Sequence, residues 1–177
     1  LKRGLMQYPA RKHCGEIVTV SIGIDSSLKT EYSLLAAESV SLPLERRAEA
    51  HKGSFGHVFV VGGSRSMPGA PELAAVAALR TGAGLVTQTQ PASVPRVSGV
   101  PEIMLEVVED RGRGFIDLEW APELIGKARQ CTVLVIGPGL GTEPESAALV
   151  LRLLTECRVP TVLDADGLNA VAGEGCA

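Results

Sequence analysis

A short apolar run that ends in adjacent glycines most constrains how this chain can fold. Residues 58–61 (VFVV) are β-branched or aromatic, which favours a strand, and Gly62 and Gly63 end the run abruptly. Residues 70–81 (APELAAVAALRT) follow with high helix propensity, and Pro71 near their start costs no intrahelical hydrogen bond. This order predicts a βα unit. The glycines could bring the backbone close to a ligand or could form only a turn.

The same order of strand, loop and helix recurs along the chain. Residues 115–130 are interpreted as loop and helix, and further strands, the last of them buried, are predicted at residues 85–89, 103–108, 132–136 and 159–163. Strands that alternate with helices predict a parallel sheet with right-handed crossovers. The glycine loops then lie at the carboxyl ends of the strands, where open α/β folds bind ligands.

The helix that follows Gly141 has a recognisable start. Thr142 and Glu145 have the spacing of a capping box, and Pro144 is suited to the first turn, so we expect Thr142 to cap the helix. One face of this helix is apolar and carries Leu149, Val150, Leu153 and Leu154.

Composition excludes several functions. With 45% hydrophobic and 21% charged residues the chain is typical of a globular protein, and no run approaches the roughly 18 apolar residues of a membrane span. The formal net charge of −3 argues against a nucleic-acid binder. The cysteines are scattered, without a C-x-x-C pair or a cluster of several cysteines and histidines, so we expect no zinc site and a reducing, cytoplasmic location. They are Cys14, Cys131, Cys157 and Cys176.

Three segments differ in character. Residues 1–25 contain one apolar strand, at residues 17–22, which is too little chain to form a core. Residues 26–50 are more polar and are interpreted as a connector, and residues 51–177 contain the α/β pattern. The chain begins at leucine rather than methionine and stops soon after a strand signal. We therefore expect it to be an internal part of a longer protein and to be inactive by itself.

Two known phosphate motifs are incomplete here. Gly137, Gly139 and Gly141 suggest a dinucleotide fingerprint, but G-x-G-x-x-G requires glycine where this chain has Thr142. Residues 62–70 form no P-loop, because no Gly-Lys-Ser/Thr closes them. Free backbone N–H groups at the start of the next helix could still bind an anionic or polar group, or the glycines could form a plain N-cap turn.

Polar residues follow the last predicted strand. Asp164, Asp166 and Asn169 could orient a hydroxyl group or a metal-bound water, or they could cap a helix and form a turn. His51 and Lys52 leave a similar choice between a phosphate-facing pair and the solvated start of a strand.

Four motifs together resemble a known family. They are HKGSFGHVFVVGGSRSMPGAPELAAVAALRTGAG, the pair Pro101 and Glu102, VLVIGPGLG and VLDADGLNA, and they extend over residues 51–175. Their order and spacing are similar to those of the ADP/ATP-dependent NAD(P)H-hydrate dehydratases, a branch of the ribokinase-like superfamily. Residues 2–24 resemble the closing segment of the NAD(P)H-hydrate epimerase domain that precedes the dehydratase in bifunctional bacterial enzymes. Gln88 and Gln90 depart from the small residues of the family.

This resemblance implies a fold and a reaction. The fold would be a three-layer ribokinase-like α/β architecture with a mostly parallel central sheet, incomplete in this fragment. The reaction would restore nicotinamide cofactor hydrated on its ring to NADH or NADPH, with ADP or ATP and Mg²⁺. The hydroxyl group of the hydrate would be phosphorylated and then eliminated as phosphate. The full-length protein would be a lyase fused to an isomerase, a homo-oligomer that binds neither nucleic acid nor membrane.

The resemblance also implies site residues. Gly139 would shape the loop of Gly141, and the positions that would contact or line the hydrated dinucleotide are Ala70, Gly139, Gly141, Asp166 and Asn169. No metal ligand is assigned. The family's H-P-G-E loop, its nucleotide-binding segment and its G-T-G-D motif with the catalytic aspartate are expected beyond Ala177.

Two rival functions share these features. One is a ribokinase-like kinase of a small alcohol such as a vitamin precursor, and the other is a nucleotide-sensing module without catalysis. The combination of GGSRSMPGA with DADGLNA favours the dehydratase.

Overall fold

The computed structural model describes residues 10–13, 46, 48–96 and 99–174. The chain divides into two compact units, Leu1–Leu42 and Pro43–Ala177. In the first unit, residues Ala10–His13 form a short 3₁₀ turn. The strand predicted at residues 17–22 lies outside the described residues, as does most of the predicted connector.

A parallel sheet forms the centre of the second unit. Its strands are β1 (His57–Val61), β2 (Leu85–Pro91), β3 (Ile103–Val108), β4 (Val133–Ile136) and β5 (Thr161–Leu163). They lie in the order β3-β2-β1-β4-β5, and every neighbouring pair is parallel. The predicted parallel sheet is confirmed. The chain leaves β1 toward β2 on one side and leaves β4 toward β5 on the other, so the carboxyl edge between β1 and β4 is the topological switch point of this α/β sheet.

Helices cover both faces of the sheet. They are α1 (Ala70–Arg80), α2 (Ala121–Ala128), α3 (Pro144–Glu156) and α4 (Asp166–Glu174). Successive residues of a strand point to opposite faces. On one face Val60 packs with Ala75 of α1, and on the other Phe59 and Val61 belong to the cluster that contains Leu124 of α2 and Leu149 of α3. The second unit therefore has the expected three layers.

The start of α3 differs from the prediction. Its N-cap is Glu143, and no side chain caps the helix, so the capping box of Thr142 and Glu145 is absent. The reason is Pro144 at the first helical position, because a proline forces the residue before it out of the helical region. Glu143 is accordingly extended, with φ −63° and ψ 138°.

The last strand also differs. Residues 159–163 were expected to form a buried strand, but β5 begins at Thr161 and Val162 is 55% exposed. As the outermost strand beside β4, β5 has a neighbour on one side only among the described residues. At the end of β2, the side-chain amide of Gln90 donates a hydrogen bond to the carbonyl oxygen of Val94, at 2.8 Å, and so supports the turn after Pro91.

Candidate functional site

The glycine loops after β1 and β4 are in direct contact. The backbone N–H of Gly63 donates to the carbonyl oxygen of Pro138 at 2.9 Å. A Cβ atom at Gly62 would lie 2.3 Å from that same oxygen, which leaves no room for any other residue. The hydroxyl group of Thr89, fully buried at the end of β2, bonds both the N–H (2.9 Å) and the carbonyl oxygen (2.8 Å) of Gly62. Neighbouring strands thus fix the loop after β1 from both sides.

Gly139 packs on the first residues of α1. Its φ of +63° favours glycine, and a Cβ there would lie 2.8 Å from Cβ of Ala70 and 2.6 Å from the carbonyl oxygen of Met67. The structure therefore brings together Ala70 and Gly139, both predicted site residues, and the close approach of two backbones explains why glycine occurs here.

Gly141, Asp166 and Asn169 form a second group. The backbone N–H of Gly141 donates to Oδ2 of Asp166 at 2.9 Å, and Nδ2 of Asn169 donates to Oδ1 of the same carboxylate at 3.3 Å. Asp166 is the first residue of α4, and Ala165 before it has a φ of +45°, in the left-handed region. The glycine-loop hypothesis expected this N–H to be free for an anionic or polar group. The N–H of Gly141 instead already donates to Asp166 and is not free.

The backbone of Gly141 separates two clefts. The larger, which we call the arginine cleft, has a volume of about 300 Å³ and is lined by Ser64, Arg65, Ser66, Arg113, Gly114, Phe115, Leu140, Gly141 and Glu143. The smaller, the aspartate cleft, has a volume of about 190 Å³ and is lined by Gly141, Thr142, Ala147, Asp166, Asn169 and Ala170. Among the described residues, only Ser64 would lie within 4 Å of a Cβ at Gly141, at 3.9 Å, so the described residues leave the space in front of this glycine open.

The arginine cleft contains residues that the sequence reasoning missed. Arg113 forms an ion pair with Asp117, which is 6% exposed. Arg65 follows Ser64 in the loop after β1, and its backbone N–H donates to the carbonyl oxygen of Gly114 at 2.7 Å. Arg65 belongs to the motif GGSRSMPGA, but no local feature of the sequence predicts the contact of Arg65 with the loop after β3.

A buried carboxylate supports the wall of the arginine cleft. Asp110 is 1% exposed and accepts hydrogen bonds from the N–H (3.0 Å) and hydroxyl (2.5 Å) of Ser93 and from the N–H of Gly114 (2.5 Å). Desolvation would raise the pKa of Asp110, but these bonds and one from Gly112 outweigh it and hold the pKa below its ordinary value. Asp110 therefore joins the loops after β2 and β3 as a carboxylate.

Residues 58–175 match a family model described as NAD(P)H-hydrate dehydratase. The chain belongs to this family. A bifunctional NAD(P)H-hydrate repair enzyme from Coxiella burnetii is 43% identical over 178 residues, and the alignment covers 97% of this chain but 34% of the relative. The chain thus spans about a third of the length of this relative. The resemblance carried by the four motifs is confirmed.

Solved structures agree with this family. A ribokinase-like superfamily protein from Enterococcus faecalis shares the fold with a TM-score of 0.61 and 24% identity, over 75% of this chain and 45% of that chain. An ADP/ATP-dependent NAD(P)H-hydrate dehydratase from Bacillus subtilis, co-crystallised with ATP and Mg²⁺, is 30% identical with a TM-score of 0.52. That match covers 70% of this chain and 42% of the dehydratase. Within the described part of the chain, no helix is long and apolar enough to span a membrane.

Proposed function

We propose that the full-length protein dehydrates NAD(P)H hydrate to NAD(P)H with ADP or ATP, and that this chain supplies much of the dinucleotide-binding half. Family membership supports the reaction class. The observation that carries the proposal is the pair of clefts that meet at Gly141, because a dinucleotide consists of two nucleotide halves joined by a diphosphate. Ala70 and Gly139 hold the shape of the loop beneath this junction.

The two clefts offer different chemistry to the two parts of such a substrate. The arginine cleft presents guanidinium and hydroxyl donors, which suit phosphate oxygens. In the aspartate cleft, Asp166 can accept a hydrogen bond from a substrate hydroxyl, and Asn169 can both donate and accept. We therefore place the hydrated ring with its hydroxyl group beside Asp166 and Asn169, and the phosphates on the other side of Gly141.

The nucleotide and the metal ion require more than the described residues provide. Among residues 10–13, 46, 48–96 and 99–174, no group of three or more histidine, cysteine, aspartate or glutamate side chains could hold a metal ion. The aspartate cleft contributes the carboxylate of Asp166 alone. These residues do not fit a magnesium site, and we expect the catalytic and nucleotide-binding residues beyond Ala177.

The proposal extends to the rest of the polypeptide. The match to a bifunctional repair enzyme over 97% of this chain supports an epimerase domain, with its closing segment at residues 1–25 and a connector at residues 26–50. We also propose a cytoplasmic location, where the free thiols of Cys131 and Cys157 would stay reduced. We further propose that the full-length protein is a homo-oligomer.

The test is an assay of the full-length gene product with NADH hydrate and NADPH hydrate. Addition of ADP or ATP should restore the absorbance of the reduced nicotinamide, and omission of the nucleotide is the control. A stable phosphorylated product from a vitamin-precursor alcohol would instead identify a kinase. Nucleotide binding without any turnover would identify a sensor.

A further inference from the structure

The guanidinium of Arg65 forms no ion pair with an acidic side chain of the described residues. Arg113, the other arginine of the cleft, differs because it is paired with Asp117. The cleft also contains Glu143, which forms no ion pair with Arg65, so an arginine in this cleft beside Ser64 and Gly141 is suited to an anionic ligand.

The guanidinium of Arg65 is held in place by neutral acceptors. Its Nη2 donates to the carbonyl oxygen of Gly112 at 2.7 Å and to the hydroxyl of Ser93 at 3.2 Å. These two bonds use both hydrogens of Nη2, and the N–H groups on Nη1 and Nε have no acceptor among the described residues. Nη2 is therefore fixed, whereas the N–H groups of Nη1 and Nε remain available as separate donors.

Gly114 provides the surface on which this side chain lies. A Cβ at Gly114 would be 2.8 Å from both Cβ and Nε of Arg65, so the arginine lies directly over the glycine backbone. The φ of Gly114 is +82°, which also favours glycine. Backbone and side chain of Arg65 are thus both fitted to the loop after β3.

Ser93 connects Arg65 to the buried carboxylate. The Ser93 hydroxyl has one hydrogen, which it donates to Oδ2 of Asp110 at 2.5 Å, so its lone pairs face Arg65 as an acceptor. The carboxylate oxygens of Asp110 accept hydrogen bonds from Ser93 and Gly114, and Asp110 does not form an ion pair with Arg65. The network therefore orients the arginine without a direct ion pair to Asp110.

We propose that Arg65 binds a phosphate group of the dinucleotide substrate, and that Ser93 and Asp110 are positioning residues for its guanidinium. The inference rests on the proposed function and adds a phosphate-binding residue to it. Guanidinium N–H groups donate charge-assisted hydrogen bonds to phosphate oxygens, and Nη1 and Nε can each provide such a bond separately. The phosphate is either part of the diphosphate, present in both hydrates, or the additional phosphate on the ribose of NADPH hydrate.

The test measures dissociation constants of NADH hydrate and NADPH hydrate with the full-length protein and its Arg65→Gln variant. Loss of a charge-assisted hydrogen bond should weaken binding by about 10- to 100-fold. Weaker binding of both hydrates would show that Arg65 binds the diphosphate. Weaker binding of NADPH hydrate alone would show that Arg65 binds the ribose phosphate. The matched control is Arg80→Gln, which removes the same charge at the far end of α1 and should leave both dissociation constants unchanged.

Ser93→Ala and Ser93→Thr test the positioning. The alanine variant should weaken binding by about 3- to 10-fold, because one bond to Arg65 is lost, and the threonine variant should restore it by returning the hydroxyl. If the wild-type protein binds both hydrates and Arg65→Gln binds them equally well, the inference is wrong and the proposed function stands. If the wild-type protein binds neither hydrate, both the inference and the proposed function are wrong. Equal binding by the alanine variant would refute the role of Ser93.

Discussion

Gly137 and Gly141 share one loop and positive φ angles, yet the structure predicts different consequences for the same substitution. A Cβ at Gly137 would lie 1.9 Å from the carbonyl oxygen of Asp164 and 2.5 Å from the backbone nitrogen of Gly167, so the loops after β4 and β5 would have to separate. At Gly141 the nearest atoms are 3.9 Å away, on Ser64. Only the backbone strain of a φ of +90° remains there.

The loss in the free energy of unfolding expected for each variant follows from two contributions, backbone strain and steric overlap. Gly141→Ala should lower the free energy of unfolding by about 1–3 kcal/mol, the cost of a non-glycine residue in a sparsely populated conformation. Gly137→Ala adds a backbone clash to similar strain and should cost roughly 2–6 kcal/mol. Against a typical stability of about 5–15 kcal/mol, the first variant stays folded and the second becomes marginal.

Urea denaturation of the full-length protein, followed by circular dichroism, measures both free energies. Hydrate binding separates the variants further, because the new Cβ of Gly141→Ala enters the open space between the clefts and should weaken binding in a folded protein. Equal denaturation midpoints for the two variants would show that the approach of Asp164 does not require glycine at position 137. Unchanged affinity in Gly141→Ala would show Gly141 to be only a turn.

Three further perturbations test other parts of the structure. Because its pKa is lowered in the folded state, Asp110 should stabilise the protein above its ordinary pKa of 3.8 and lose this effect as the pH falls through the lowered value. Asp110→Asn should therefore flatten the acid limb of a stability profile, and an unchanged limb would contradict this. Thr89→Val leaves the buried N–H of Gly62 unpaired and should cost about 1–3 kcal/mol in urea denaturation; a neutral effect would refute that account. The 177-residue chain by itself should associate through the exposed edge at Val162, and light scattering should fall with Val162→Lys but not with the control Leu73→Lys, at an exposed position of α1. A chain that is monomeric without the lysine would refute the role of this edge.

The elements that the sequence predicted well are those whose signal is local. The alanine-rich α1 was expected at residues 70–81 and is observed at Ala70–Arg80, since high helix propensity and a following glycine mark both its interior and its end. The strand at Ile103–Val108 was predicted with the observed bounds. A strand with an apolar run of this kind can be predicted from its own residues, without information about its neighbours in the sheet.

Errors arose where a local rule competed with a second constraint. Thr142 and Glu145 satisfy the spacing of a capping box, but Pro144 moves the start of α3 and leaves Thr142 outside. Residues 159–163 are apolar enough to be buried, yet position in the sheet decides burial, and β5 is the outermost strand beside β4. Pattern alone does not distinguish an outer strand from a central one.

The candidate site divides in the same way. Gly141, Asp166 and Asn169 belong to short motifs, so their resemblance to a family identified them, and the structure brings them within hydrogen-bond distance across 25 residues of sequence. Arg65 instead depends on Gly112, at a separation of 47 residues, and on Ser93, at 28. The three meet because β1, β2 and β3 lie side by side and end at the same edge. Strand order therefore decides which loops can share a ligand, and in this chain it places Arg65 in one cleft with Gly141 of the glycine loop that the motifs had already indicated.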